Sequence, residues 1–104
     1  MHSINNKYQS HFSVSITHVA DKAQCKGGGK EYGFVKLETC ARLCVHLSEM
    51  FAFGTTKFGS NKCDTKGDSC KCNCMDETTN YKCNERVADP AFILYAVKFT
   101  APGI

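Results

Sequence analysis

The sequence predicts an α+β domain: one helix packed on a twisted antiparallel sheet and stapled to it by disulfides. Three observations predict it. Segments near both ends carry strand-type patterns of β-forming residues, one segment in between carries helical spacing, and eight cysteines are spread over 104 residues. Strand, helix and then several strands is the order expected of a helix lying on one face of an antiparallel sheet.

The elements follow in chain order. Residues 1–8 are polar and unpatterned, so the ordered core is expected over about 9–100 of a single domain spanning 1–104. From Gln9 to Val19, Phe12, Val14 and Ile16 fall on one face and Ser13, Ser15 and Thr17 on the other, a half-buried strand. Ala20 to Lys30 reads as a loop turned by Gly27, Gly28 and Gly29, and Tyr32 to Val35 as a short strand. The helix is expected from about Leu37 to Met50, where Leu43 and Leu47 share a stripe with Cys40 and Cys44. Met50 to Phe53 reads as a buried strand, with Phe51 and Phe53 in the core. Gly59 to Ser69 reads as a polar loop. Cys70 to Cys74 alternates, which puts three sulfurs on one strand face. Met75 to Asn80 is a turn, and Phe92 to Phe99 is the last strand, bracketed by Pro90 and Pro102. The first and last strands are expected to pair near the middle of the sheet.

Composition narrows the function classes. At 42% apolar and 22% charged, the chain is not a disordered tail. No apolar stretch approaches the roughly 20 residues of a membrane helix, so no membrane insertion is expected. Thirteen basic and ten acidic side chains give a net charge of +3, too even for a dedicated nucleic-acid binder. Between residues 57 and 83, Lys57, Lys62, Lys66, Lys71 and Lys82 face Asp64, Asp68, Asp76 and Glu77, so charge alone supports no heparin-type patch. A domain this small buries only about 60–65% of its unfolded surface, and disulfides compensate in small secreted domains. The start, Met1 to Lys7, is polar and has no signal-peptide core. The expectation is a mature secreted chain with an added Met1; a cytosolic chain is the alternative. No Asn-x-Ser/Thr acceptor site occurs.

The cysteines carry the chemistry. Cys40 and Cys44 lie one helical turn apart, and Cys72 and Cys74 share a strand face. Bridges need Cα atoms only about 5.5–6 Å apart, so two bridges can staple the helix to the sheet. The alternative is tetrahedral zinc in a reducing compartment, but the C-x-x-C knuckles of structural zinc are missing. Catalysis is not expected. Paired cysteines leave no thiolate nucleophile, no nucleophile elbow is present, and His2, His11, His18 and His46 have no ligand spacing. Gly27-Gly28-Gly29-Lys30 lacks the spacing and the following Ser or Thr of a phosphate-binding loop, and no calcium-loop signature surrounds Asp64 and Asp68. No metal and no cofactor are expected.

Glu38-Thr39-Cys40-Ala41-Arg42-Leu43-Cys44 resembles the two-cysteine helix of PAN/apple-like domains. Phe51-Ala52-Phe53-Gly54 is similar to the aromatic strand that follows that helix, Cys70 to Cys74 to the cysteine-bearing strand, and Phe92 to Phe99 to the closing strand. The resemblance spans about residues 12–99. It departs where this chain has Glu49-Met50 in place of a cysteine and where Cys63, Cys70, Cys72 and Cys74 crowd the second half. The resemblance implies a Cys25–Cys83 tie between the ends. It further implies bonds from Cys40 and Cys44 into the Cys63–Cys74 group, with the remaining two of that group joined. It also implies a secreted, extracellular recognition module that binds a protein or carbohydrate without chemistry. A toxin, pheromone or host-defence effector on the same scaffold is the second reading.

Binding modules present loops on a rigid frame, so loops 54–69 and 26–31 are the places to look. For a sugar ligand, Tyr32 and Phe58 offer stacking faces, and Lys57, Asn61 and Asp64 offer partners for hydroxyl groups.

Overall fold

A computed structural model describes residues 12–57 and 61–100. The strands are β1 (Val14–Cys25), β2 (Lys30–Val35), β3 (Met50–Lys57), β4 (Asn61–Lys62), β5 (Cys70–Cys74) and β6 (Arg86–Phe99). Among the described residues one α-helix, α1, spans Leu37–Cys44, and a 3₁₀ turn covers Glu77–Thr79. All strand pairs are antiparallel in the order β1-β6-β3-β5-β2, with the short β4 added to β3.

Side-chain alternation explains why β3 is central. Phe51 and Phe53 point to the helix side, while Ala52 and Gly54 keep the other side thin. A Cβ at Gly54 would sit 2.9 Å from Lys71 Cβ, so the strand passes that side chain only as glycine. Under α1 the core gathers Cys40, Ala41, Cys44, Phe51, Phe53, Cys72, Cys74, Tyr95 and Val97. Phe51 stacks on its cross-strand partner Tyr95 with ring centres 5.5 Å apart. A second core on the opposite face joins Ala23, Cys25, Ala52, Met75 and Leu94. Met75 follows directly on β5 and carries the chain over that face.

Several expectations are corrected. β1 does not end at Val19 in a loop; it runs to Cys25. Its register against β6 shifts between His18 and Ala20 and again between Asp21 and Ala23, and Lys22 has φ 51°. Bulges of this kind break the two-residue period, which hides the strand's second half. β1 pairs with β6, but it lies at the sheet edge, not near the middle.

The helix stops at Cys44 instead of Met50. Val45 N–H bonds Ala41 O, then Leu47 and Ser48 N–H both turn back to Cys44 O. Cys44 is tied to β5, and Met50 already pairs with Ala96 of β6, so the chain must turn between them. The buried stripe is Cys40, Ala41 and Cys44; Leu43 and Leu47 stay 42% and 38% exposed.

Other strands are longer than expected. β2 starts at Lys30, β3 reaches Lys57, and the polar segment 59–69 contains β4. β6 begins at Arg86 and passes through Pro90, which therefore does not bracket it. Pro90 is tolerated because pairing of β6 with β3 stops at Phe92 and its register with β1 skips from Ala88 to Ile93.

Candidate functional site

Every cysteine is paired. Cys25 bonds Cys83, Cys40 bonds Cys72, Cys44 bonds Cys74 and Cys63 bonds Cys70, with Cα separations of 5.2, 5.5, 5.0 and 6.0 Å. The two middle bonds run side by side from α1 to β5. The outer bond joins the end of β1 to the loop before β6, and that junction builds the candidate site.

At this end a cleft of about 470 Å³ is lined by Lys26, Gly27, Glu77, Thr78, Thr79, Asn80, Asn84 and Glu85. Three local devices hold its walls. Lys26 N–H bonds Glu85 O at 2.8 Å, and the same two residues place Nζ and Oε1 3.6 Å apart. Gly27 has φ +99°, and a Cβ there would meet Thr78 O at 2.5 Å, so only glycine lets the turn close against the 3₁₀ segment. Asp76 caps that segment: its side chain accepts from Thr78 N–H at 2.9 Å, and Thr79 Oγ1 accepts from Asp76 N–H at 3.0 Å.

The Thr78 hydroxyl lies 2.5 Å from Asp76 Oδ1 and 3.1 Å from Gly27 O. That hydroxyl, followed by backbone N–H groups, holds the Asp76 carboxyl below the usual carboxylate range. Asn80 and Tyr81 then adopt left-handed φ of 55° and 57° and swing the chain toward Cys83. The result is a polar cleft that presents two amides, two carboxylates, hydroxyls and one ammonium on a cross-linked frame. Such groups bond donors and acceptors of a bound molecule.

The residues expected to bind from sequence lie elsewhere. Tyr32 is on edge strand β2, 38% exposed, with Lys30 Nζ 5.5 Å from its ring centre. Lys57 and Asn61 are backbone partners where β3 meets β4. Phe58 lies outside the described residues. Asp64 lines a second cleft of about 420 Å³ with Thr55, Lys62, Cys63, Thr65 and Ile93. Its carboxylate already accepts from Lys66 N–H at 2.9 Å, so it shapes its own turn. The structure thus groups Lys57, Asn61 and Asp64 around the β3–β4 end, while Tyr32 stands across β5 on β2.

Of the cleft at the Cys25–Cys83 end, the expected loop 26–31 supplies only Lys26 and Gly27. Glu77, Thr78, Asn80, Asn84 and Glu85 were not singled out as a site. The signal that reaches them is the Cys25–Cys83 bond, which brings the neighbours of residue 25 against those of residue 83.

In comparisons with family models, curated proteins and solved structures, nothing matches this chain.

Proposed function

We propose that the chain is an extracellular recognition module of the PAN/apple-like type, binding its ligand at the loop end and catalysing nothing. A helix carrying Cys40 and Cys44, each bonded to an adjacent cysteine-bearing strand, supports the PAN/apple-like reading. So does the order of helix, aromatic strand and closing strand. Four disulfides are compatible with an oxidising environment, and no helix among the described residues is long and apolar enough to cross a membrane.

The observation that carries the binding role is the polar cleft locked behind Cys25–Cys83. Of the two ligand classes, its chemistry favours a carbohydrate. Asn80, Asn84, Glu77 and Glu85 offer amide and carboxylate partners for sugar hydroxyls, and the bond at Cys25 and the Asp76 cap fix their backbones in advance.

A glycan array probed with the oxidised chain tests this. The expected result is a defined set of glycans whose binding falls at least about tenfold in Asn84→Ala and Glu77→Ala. A silent array overturns the carbohydrate reading and turns the search to protein ligands; glycan binding unchanged in both variants overturns the cleft as its site.

A further inference from the structure

The two bonds from α1 to β5 bring sulfurs of the two staples into contact. Cys44 Sγ lies 3.8 Å from Cys72 Sγ and 3.9 Å from Cys40 Sγ, and all three are fully buried. These three ligand atoms lie within 4.8 Å of one another, and Cys74 Sγ is bonded to Cys44. A tetrahedral zinc site with Zn–S bonds of about 2.3 Å has S···S edges of about 3.8 Å. The two spacings from Cys44 Sγ, to Cys40 and to Cys72, already equal that edge, whereas Cys74 Sγ lies outside this group and must turn inward once its bond opens.

We propose that Cys40, Cys44, Cys72 and Cys74 form a latent site for one thiophilic divalent ion such as Zn²⁺, opened when the two bonds are reduced. The backbone supports it from both sides. Cys40 and Cys44 sit one turn apart on a helix, and Cys72 and Cys74 sit two apart on a strand that is paired with β2 and β3. Neither pair depends on a flexible loop. The balance is simple: a dithiol reductant gives each disulfide two electrons and two protons and is itself oxidised to a disulfide. The four thiols then release their protons to solvent as the metal binds. Metal and staples are therefore alternative occupants of one space, and either one links the helix to the sheet. This inference is independent of the cleft and of the recognition role.

The test reduces the full chain with a water-soluble phosphine under argon and titrates it with Zn²⁺ and with Co²⁺. The expected result is one ion per chain, a tetrahedral thiolate Co²⁺ spectrum, and retained sheet signal in far-ultraviolet circular dichroism. Cys25→Ser/Cys83→Ser keeps the site. Cys40→Ser/Cys44→Ser weakens binding by more than about 100-fold, beyond what loss of a ligand's supporting contacts causes. No binding at one equivalent, or equal binding by both variants, overturns the proposal. Should the second variant not fold, alkylation of the reduced, zinc-loaded wild-type chain decides. Selective protection of Cys40, Cys44, Cys72 and Cys74 supports the site, and uniform alkylation of all eight cysteines overturns it.

Discussion

The two bonds between α1 and β5 are expected to stabilise the fold with strong redundancy, and that redundancy has a calculable size. Cys40–Cys72 and Cys44–Cys74 close separations of 32 and 30 residues. Alone, either removes about 3.7 kcal/mol of chain entropy from the unfolded state at 25 °C. Once one is present, however, the other closes a ring of only about six residues, four along the helix and two along the strand. The same relation then gives only about 2 kcal/mol.

Replacing one pair by alanine therefore costs about 2 kcal/mol in cross-linking, whichever pair is chosen. Replacing both costs about 6 kcal/mol, because the long loop is then released as well. The double replacement exceeds the combined single losses by about 1.5–2 kcal/mol, the difference between the long loop and the short ring. Guanidinium unfolding of the oxidised wild type, Cys40→Ala/Cys72→Ala, Cys44→Ala/Cys74→Ala and the fourfold variant measures the coupling. Losses that simply add, or a fourfold variant better than additive, would refute the nested-loop reasoning.

Other outcomes follow from particular contacts. Gly29 has φ +73°, and a Cβ there would come 2.2 Å from Cys74 O, whereas Gly28 has φ +79° with open space. Gly29→Ala should thus lose more stability than Gly28→Ala in urea titrations, the latter costing about 1–2 kcal/mol from its left-handed backbone alone. Phe53 is fully buried and Leu43 is 42% exposed, so Phe53→Ala should cost about 3–5 kcal/mol and Leu43→Ala less than about 1 kcal/mol. Equal losses in thermal melts would return Leu43 to the core stripe. The Thr78 hydroxyl lowers the Asp76 carboxyl. Its contribution is complete above the ordinary unfolded carboxylate range and disappears as pH falls through the lower folded value. Thr78→Val should shrink that acid-side loss in melting temperature against pH; an unchanged profile would show that the cap does not supply it.

The staple between helix and strand was legible because its geometry is local, whereas the Cys25–Cys83 tie, 58 residues apart, was implied only by the PAN/apple-like resemblance. Positions four apart on a helix and two apart on a strand each put sulfurs on one side, whatever the rest of the chain does. Phe51 and Phe53 were legible for the same reason. What escaped depends on contacts distant in sequence. The second half of β1 is concealed by two bulges and by Lys22 at φ 51°, and is strand because β6 pairs with it. The helix pattern runs on to Leu47, yet the bonds at Cys44 and Met50 end the helix early and leave Leu43 and Leu47 outside. Pro90 reads as a stop, but β6 passes it where no β3 partner requires its N–H. The cleft joins residues 26–27 to 77–85, and no periodicity connects segments fifty residues apart.

Two side-by-side disulfides bolt the helix to β5, while a third closes the end that carries the cleft. Proteolytic mapping of the unreduced protein by mass spectrometry tests it directly. The expected map shows no free thiol, a fragment containing Cys25 joined to one containing Cys83, and the helix fragment joined through both its cysteines to the strand carrying Cys72 and Cys74. Free thiols, or Cys40 bonded to Cys44 within the helix, would contradict it.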